Sequence, residues 1–406
     1  MSRTALRQRS DYTYKANIKA GRHGWLRLTP AYGINLVYEE LSKLPKGSRI
    51  IEPFSGSGTT PLAASELGLF CNAREINPFL VWLGNAKLDT YSKEEGDATI
   101  EEANSVIAEA SRFEGLDDLW IPPMHNITRW WDRASLEALA SLRHEIDKRN
   151  GKVRTLLDVA FCRLLIGLSA AAFNHQSMSF KDQDPLLGYS REDFLQNVRS
   201  YATEVKDVVA KALSDVPVGE ASVEHGDSTL PFNGYKPADL VITSPPYVNR
   251  MSYIRELRPY MYWMRYLVSG EQAGEMDWKA IGGTWGSVGT KLRARVSPHE
   301  SPIDATLSAV CEKILQGKSG EILSPYVYKY FDDMWSHFKA ITPVVKDGGK
   351  LCYIVGNSTF SGVEVPAHTW YAEMMKALGY HDIKVTAIRK RNSNKRLYEY
   401  AVTATK

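Results

Sequence analysis

The chain is poor in cysteine and has no long apolar run. Its four cysteines, Cys71, Cys162, Cys311 and Cys352, lie far apart in 406 residues and show no CxxC or Cys/His ligand spacing. We therefore expect neither a metal site nor a disulfide framework, and we expect reduced thiols in a cytoplasmic protein. No apolar run approaches the roughly 18 residues of a membrane span, and the N-terminus lacks the apolar region of a signal peptide. These absences favour a soluble globular protein without a membrane partner.

A strong net charge is also absent, because the formal net charge is only +3, but the basic residues are clustered. The first 27 residues carry seven Lys and Arg against one acid. Two later clusters occur in GTKLRAR and RKRNSNKRL, with Lys291, Arg293, Arg295, Arg389, Arg391, Lys395 and Arg396. Such clusters are typical of proteins that bind a polyanion such as nucleic acid, and the alternative is ordinary solvated surface charge.

The segment SRIIEPFSGSGTTPLAASELGLFCNAREINP predicts a strand, a glycine-rich turn, a helix and a second strand. This unit is typical of a doubly wound α/β sheet. Strand patterns return in ASVEHGD, ADLVITSPPY, GGKLCYIVGNS, DIKVTAIRK and LYEYAVTAT. Residues 1–91 and 220–406 are therefore predicted to form one discontinuous α/β domain.

Two stretches interrupt the strand pattern. Residues 92–219 show long helical periodicity and little strand signal, so we predict a large helical insertion there. Residues 274–302 are rich in Gly, Ser and basic residues, and we expect a long loop or a small subdomain within about 265–325. A long loop inside a compact domain is usually functional or disordered.

The turn in EPFSGSGTT stands where the first strand passes into a helix. Gly56 and Gly58 allow the backbone to approach a ligand closely there, with N–H groups free to meet it. The turn is neither a nucleoside-triphosphate loop, because no Lys-Ser/Thr follows, nor the full GxGxxG fingerprint. Glu75 ends the next strand, where a carboxylate can accept hydrogen bonds from both hydroxyls of a ribose. Together these features favour a cofactor site.

Asp227, in EHGDST, follows another short strand. A carboxylate at that edge of the sheet can accept a hydrogen bond from the exocyclic amine of adenine. The alternative is a capping or turn aspartate.

The stretch VITSPPYVNR runs from an apolar strand into Ser244, Pro245, Pro246 and Tyr247. The prolines fix the backbone and leave carbonyl oxygens free as acceptors. Ser244 Oγ and the Pro245 carbonyl can accept hydrogen bonds from an –NH2 group, while Tyr247 offers a ring on which a flat base can stack. This combination suits alkylation of an exocyclic amine of a nucleobase. The alternative is a proline-rich strand end with a tyrosine in the core.

These segments resemble the motifs of the amino-group DNA methyltransferases. EPFSGSGTT is similar to motif I and SPPY to the catalytic motif IV, while LTPAYG, REINP and HGDS are similar to motifs X, II and III. The resemblance implies a seven-stranded sheet that binds S-adenosyl-L-methionine, and it makes Ser244, Pro245, Pro246 and Tyr247 the catalytic residues. The cofactor-binding residues that it implies are Thr29, Pro30, Tyr32, Glu52, Phe54, Gly56, Gly58, Thr59, Glu75, Asn77 and Asp227.

The resemblance also implies a reaction, in which a methyl group is transferred to the amine of a flipped base in double-stranded DNA. The SPPY form is more typical of cytosine-N4 than of adenine-N6 enzymes, so cytosine N4 is favoured and adenine N6 stays open. A cognate restriction endonuclease is an expected partner, and the oligomeric state stays open. An RNA methyltransferase and a catalytically silent DNA-binding subunit are further alternatives.

Contacts to DNA are expected from the residues after the tetrapeptide and from the basic clusters. Residues 265–325 are the expected target-recognition subdomain. The predicted DNA-binding residues are Asn249, Arg250, Lys291, Arg293, Arg295, Arg389, Arg391, Lys395 and Arg396.

Overall fold

The computed structural model describes residues 10–28, 33–172, 179–180, 189–214, 216–249, 252, 254–283, 289–391 and 397–406. Six predicted site residues lie outside these ranges: Thr29, Pro30, Tyr32, Arg250, Lys395 and Arg396. Among the helices of the described residues, none combines the length and apolarity that a membrane crossing needs. The four cysteines are free and buried.

The strands are, in chain order, β1 (Arg49–Glu52), β2 (Phe70–Glu75), β3 (Ala171–Ala172), β4 (Ser179–Phe180), β5 (Ala221–His225), β6 (Ala238–Thr243), β7 (Val345–Gly356), β8 (Ser358–Phe360), β9 (Val363–Val365), β10 (His381–Lys390) and β11 (Tyr398–Thr405). The helices are α1 (Tyr14–Asn17), α2 (Ile34–Leu41), α3 (Thr59–Glu66), α4 (Pro78–Leu88), α5 (Lys93–Ala110), α6 (Arg133–Ile146), α7 (Gly151–Gly167), α8 (Arg191–Ser214), α9 (Ile254–Trp263), α10 (Gly270–Lys279), α11 (Gly289–Ala294), α12 (Asp304–Leu315), α13 (Gly320–Ile341) and α14 (Ala367–Ala377).

A seven-stranded sheet organises the fold, in the order β10-β11-β7-β6-β1-β2-β5. The pairs β5–β2, β2–β1, β1–β6 and β6–β7 are parallel, whereas β11 runs antiparallel to both of its neighbours. The predicted doubly wound seven-stranded sheet is confirmed, together with the strands that the sequence pattern predicted.

The central strands of the sheet, such as β1 and β6, are buried on both faces, which explains why they read as continuous apolar runs. Neighbouring residues of β1 point to opposite faces, as the two-residue period of a strand requires. Ile50 belongs to the core formed with α2 and α3, including Val37 and Ala63. Ile51 belongs to the core formed with α13 and α14, including Phe338.

The carboxyl ends of the parallel strands meet at one edge of the sheet. β1 ends at Glu52, β2 at Glu75 and β6 at Thr243, with β1 between the other two. The chain leaves β1 towards β2 on one side and later returns to β6 on the other side. Such a change of direction opens a crevice at the carboxyl edge, where ligands bind in open α/β sheets.

Helices α5 to α8 lie between β2 and β5 in the chain, within residues 92–219, where the sequence pattern predicts a helical insertion. A capping box at Ser92 and Glu95 begins α5. The core of these helices includes the fully buried Trp131, and it continues into α4 through Phe79 and into α9 through Trp263. The insertion therefore packs directly on the helices that flank the carboxyl edge of the sheet.

Within residues 274–302, where a long loop or a small subdomain was expected, the described stretches 274–283 and 289–302 include helical segments. The helix α10 begins at Gly270, where the Ser269 side chain accepts a hydrogen bond of 3.2 Å from the Gln272 N–H. Ser252 Oγ donates to the buried Asp277 at 2.8 Å, which ties α10 to the chain that follows the tetrapeptide. The short α11 is anchored by Leu292, which is buried in the core with α13. The sequence pattern did not predict these helices, because their glycines lower the local helix propensity. A cap and the burial of side chains in the core stabilise them instead.

Candidate active site

A cavity of about 520 Å³ opens at the carboxyl edge of β1, β2 and β6. Its walls include predicted cofactor residues, Phe54, Gly56, Thr59, Glu75, Asn77 and Asp227. They also include the whole tetrapeptide, Ser244, Pro245, Pro246 and Tyr247. The structure thus brings into one cavity two groups of residues that are separated by the helical insertion in sequence.

The turn after β1 uses its two glycines differently. Gly56 has a φ of +52° and lines the cavity. Gly58, with a φ of +78°, precedes α3, and a Cβ on it would lie 3.0 Å from the Gly84 Cα of α4. Gly58 therefore serves the close contact between α3 and α4, while Gly56 forms the cavity wall.

Glu52 lies inside the turn and is fully buried. Its Oε1 accepts a hydrogen bond from the Phe54 N–H at 3.0 Å, and its Oε2 accepts from the Thr60 hydroxyl at 2.7 Å. These contacts fix the turn against the start of α3. Glu52 is thus placed behind the turn, and the residues that surround the cavity do not include it.

Glu75 points its carboxylate at the same turn. Its Oε2 accepts from the Gly56 N–H at 2.8 Å, and its Oε1 accepts from the Asn77 N–H at 2.9 Å. Asn77 in turn caps α4, because its side chain accepts from the Phe79 N–H at 3.0 Å. Burial raises the pKa of Glu75 to about 7. A carboxylate has about four acceptor sites, so these backbone contacts do not exhaust its acceptor capacity.

Two polar groups that no sequence motif indicated, Ser55 within the turn and Lys87 from α4, also shape it. Ser55 Oγ is buried and has no hydrogen-bond partner among the described residues, although Ser55 lines the cavity. The fully buried Lys87 of α4 donates from Nζ to the Ser57 carbonyl at 2.7 Å. Burial lowers the pKa of Lys87 to about 7. The buried lysine therefore holds the turn through its backbone.

Asp227 forms a turn and also lies at the cavity wall. Its Oδ1 accepts from both the N–H and the hydroxyl of Thr229, each at 2.8 Å, which is a turn-forming pattern. Asp227 also lines the cavity. The turn therefore orients a carboxylate at the cavity wall.

Two tyrosines hold the proline kink. The Tyr330 hydroxyl donates to the Pro246 carbonyl at 2.7 Å, and the Tyr371 hydroxyl lies 2.7 Å from that of Tyr330. Since the Tyr330 proton goes to Pro246, Tyr371 is the donor in the second bond. The Pro246 carbonyl is therefore engaged, in contrast to the expectation that both proline carbonyls are free.

Tyr247 is enclosed by β7 and the end of β10. The Arg391 guanidinium carbon lies 5.4 Å from the centre of its ring. A Cβ on Gly356 would lie 3.2 Å from Tyr247 Cε2 and 3.0 Å from Arg391 Nη1. Ser244 hydrogen-bonds the Tyr247 side chain, whose pKa is raised chiefly by burial. Tyr247 is thus a protonated phenol in a fixed position.

Arg389 and Arg391, which were predicted to bind DNA, lie in the cavity wall beside the tetrapeptide. Arg391 Nη1 donates to the Asn357 carbonyl at 3.1 Å. Arg389 pairs with Glu399, a residue that the sequence analysis did not select. The pairing of β11 with β7, which is itself the neighbour of β6, brings both arginines to the cavity, and their contact with DNA stays a prediction.

The other described DNA-binding candidates lie away from this cavity. Arg295 pairs with Asp332 at 2.7 Å, and Arg293 lies 3.6 Å from Glu321. Lys291 Nζ lies 5.7 Å from the centre of the Trp278 ring. Asn249 is half-buried, and its Oδ1 has no hydrogen-bond partner among the described residues.

The cavity also receives residues that no motif indicated. Tyr12, Thr13 and Lys15 line it from the N-terminal segment, and Lys279 lines it from the end of α10. Lys15 and Lys279 are exposed cations at its rim. Their sequence surroundings carry no signal for this role, because only the fold brings them together.

Comparisons with known proteins point to methyl transfer. No family model matches the chain. The chain is 21% identical to Type II methyltransferase M.BsoBI of Geobacillus stearothermophilus, over 94% of this chain and 83% of that protein. It is 20% identical, with the same coverage, to Type II methyltransferase M.AvaI of a Nostoc species and of Anabaena variabilis. An rRNA methyltransferase, aviRa from Streptomyces viridochromogenes, is 11% identical over 96% of this chain with a TM-score of 0.29, too low for inference.

This weak similarity over most of the chain supports the predicted enzyme class, a methyltransferase, and its cofactor, S-adenosylmethionine. The residues present fit that cofactor. The buried Glu75 carboxylate and the unpartnered Ser55 Oγ provide acceptor sites for the ribose hydroxyls of a nucleoside. The cavity has the volume of a small-molecule site.

Proposed function

We propose that this chain is a DNA methyltransferase that modifies the exocyclic amine of a flipped base, with cytosine N4 as the favoured target and adenine N6 as the alternative. The observation that carries the proposal is that Glu75 and Asp227 share one cavity with Ser244 and Tyr247. Similarity to type II methyltransferases supports a DNA substrate and a cognate restriction endonuclease.

The cofactor would occupy the part of the cavity formed by the turn after β1. When bound, S-adenosylmethionine supplies an electrophilic methyl group. Glu75 and Ser55 would accept hydrogen bonds from the ribose, and Asp227 would accept one from the adenine amine. Phe54 and Thr59 would complete this wall.

The tetrapeptide would hold the base. The proline kink fixes Ser244 Oγ and the Pro245 carbonyl as acceptors for the amine, while Tyr247 supplies a ring for stacking. Acceptors at this position orient the nitrogen lone pair and stabilise positive charge as it develops. Because the amine is itself the nucleophile, no side chain has to form a covalent bond, and the released proton passes to water, directly or by relay through the Ser244 hydroxyl.

Methylation of a base in a duplex requires that the base leave the helix, which costs a few kcal/mol. We propose that Asn249, Arg250, Lys291, Arg293 and Arg295 contact the DNA outside the cavity. Lys395 and Arg396 would add phosphate contacts, and residues 265–325 would read the target sequence. Residues 1–91 and 220–406 would form the catalytic domain around the insertion at 92–219.

The test is transfer of a labelled methyl group to plasmid DNA and, separately, to tRNA, followed by mass spectrometry of the nucleosides. We expect N4-methylcytosine in DNA and no label in tRNA. Ser244→Ala and Tyr247→Ala should each lower kcat at least about tenfold without loss of cofactor binding. Ser222→Ala, in the exposed part of β5, is the matched control and should retain activity.

Each other result has a defined meaning. Label in tRNA but not in DNA would overturn the proposal, and N6-methyladenine would select the adenine alternative. Cofactor binding without transfer to either nucleic acid would indicate a catalytically silent subunit. Full activity of both tetrapeptide variants would refute the assignment of the base-holding residues.

A further inference from the structure

Arg389 and Glu399 form a bidentate ion pair in the cavity wall. Arg389 Nε donates to Glu399 Oε2 at 2.7 Å, and Nη2 donates to Oε1 at 2.6 Å. The two residues face each other across the β10–β11 pair, and their side chains are 13% and 10% exposed. Two strands and two parallel hydrogen bonds therefore fix the plane of the guanidinium.

A pair of this kind contributes little net stability, because the cost of removing both charges from water offsets most of their attraction. What it contributes is geometry. A guanidinium has five N–H donors, and the edge that faces Glu399 uses one on Nε and one on Nη2. The second edge, formed by Nη1 and the other Nη2 proton, lies outside the pair. Arg389 lines the cavity, and its pairing with Glu399 holds this second pair of donors in a fixed plane.

The ion pair lies at the end of the cavity that contains the tetrapeptide. Glu399, Arg391 and Arg389 are the charged groups that act on the Tyr247 hydroxyl, to which Ser244 is hydrogen-bonded. The neighbouring Arg391 is engaged differently, since its Nη1 donates to the Asn357 carbonyl and its guanidinium lies over the Tyr247 ring. Of the two arginines, Arg389 is therefore the one whose guanidinium is oriented by a carboxylate, that of Glu399.

The two candidate bases differ in what they offer such a fork. Cytosine presents its amine, N3 and O2 along one edge, so two acceptors stand side by side next to the amine. Adenine presents its amine and N1, and the next position is a C–H without an acceptor. Arginine forks recognise paired acceptors of a base by two parallel hydrogen bonds. The Arg389 edge therefore matches cytosine better than adenine.

We propose that Arg389, oriented by Glu399, reads N3 and O2 of a flipped cytosine while Ser244 accepts from its N4 amine. Arg389 is then the residue that sets base specificity, not a phosphate contact, and Glu399 is its positioning residue. The inference rests on the proposed function and assigns the base within it.

The test compares duplexes that carry cytosine or 3-deazacytosine at the mapped target. The analogue keeps the amine and O2 but replaces N3 by C–H. We expect wild-type kcat/KM to fall roughly tenfold or more on the analogue. In the double variant Arg389→Gln/Glu399→Gln, which removes both buried charges together, the two substrates should differ by about twofold or less. The analogue alters base flipping equally in every variant. The cytosine-to-analogue ratio of kcat/KM, compared between the wild type and the double variant, therefore isolates the contact between Arg389 and N3.

Three measurements keep the result interpretable. Thermal unfolding and cofactor affinity show that the double variant is folded. Dissociation constants for the two duplexes give the same ratio without turnover. Lys390→Gln removes a charge from the same strand at a residue outside the cavity wall, and it should retain the wild-type discrimination.

If the enzyme methylates cytosine but the double variant discriminates between cytosine and 3-deazacytosine as well as the wild type does, this inference is overturned and the proposed function stands. Methylation of adenine instead of cytosine also overturns it. Absence of any transfer to DNA by the wild type refutes the proposed function, and with it this inference.

Discussion

Lys87 Nζ donates a hydrogen bond of 2.7 Å to the Ser57 carbonyl, so a lysine without solvent contact holds the turn that borders the cofactor part of the cavity. Burial lowers its pKa to about 7. Since an unfolded lysine titrates near pH 10, the unfolded chain binds a proton between about pH 7 and 10 that the folded chain lacks.

The free energy of unfolding should therefore receive a contribution from Lys87 that rises across this window, by at most about 1.4 kcal/mol per pH unit. Lys87→Met should remove this contribution and weaken cofactor binding severalfold, because Ser57 loses its donor. Urea unfolding at pH 7 and 9 measures the first effect and calorimetry the second. Equal pH slopes in both proteins would contradict the buried titration.

Cofactor affinity should depend on pH through Glu75, whose pKa is raised to about 7 by burial. Protonation below pH 7 removes an acceptor from a carboxylate that already accepts hydrogen bonds from backbone N–H groups. A site that needs the ionised form should bind about tenfold more weakly at pH 6 than at pH 8. Glu75→Gln should bind weakly at both pH values. Calorimetric titration in the absence of DNA decides this, and an equal pH dependence in the variant would implicate another group.

Gly58→Ala and Gly68→Ala separate backbone strain from close packing. Both glycines have left-handed φ angles, +78° and +70°, which cost an alanine about 1–2 kcal/mol. A Cβ on Gly68 would have no neighbour within 4 Å, whereas one on Gly58 would lie 3.0 Å from Gly84 Cα. Gly58→Ala should therefore lower the free energy of unfolding by about 1–3 kcal/mol more than Gly68→Ala does. Chemical denaturation measures both, and equal losses would mean that α3 and α4 separate easily.

Gly356→Ala should impair turnover more than cofactor binding. The added methyl group would lie 3.0 Å from Arg391 Nη1 and 3.2 Å from Tyr247 Cε2, so the Tyr247 ring, which we propose stacks on the base, has to shift. We expect kcat to fall roughly tenfold, because small misplacements of positioning groups are costly. Gly167→Ala is the matched control, since its Cβ would meet nothing within 4 Å at the end of α7. An unchanged kcat in Gly356→Ala would show that Tyr247 tolerates displacement.

The parts of the site that follow directly from a strand were predictable. Glu75 and the tetrapeptide each stand at the end of an apolar run, and parallel strands bring their carboxyl ends to one edge. The turn between β1 and α3 carried its own glycine signal. These local patterns sufficed for the sheet and for the position of the cavity.

The remaining residues depend on tertiary placement. Lys87 lies in an apolar helix, where a lysine near the last turn reads as an exposed cation. Arg389 reads as part of a surface cluster until the pairing of β11 with β7 places it beside Tyr247. No sequence pattern singles out Ser55. It is a candidate only because its hydroxyl is buried without a hydrogen-bond partner among the described residues.

The position of β11 has a consequence for how the protein matures. This strand comes last in chain order, yet it lies between β10 and β7 and contributes Glu399 to the cavity, which Tyr12 lines from near the other end. Contacts between such distant residues form slowly, because the intervening chain must be ordered first. Until β11 has paired with β7, Glu399 is missing from the cavity wall, so we expect catalytic competence to arrive in one late folding step rather than gradually during synthesis.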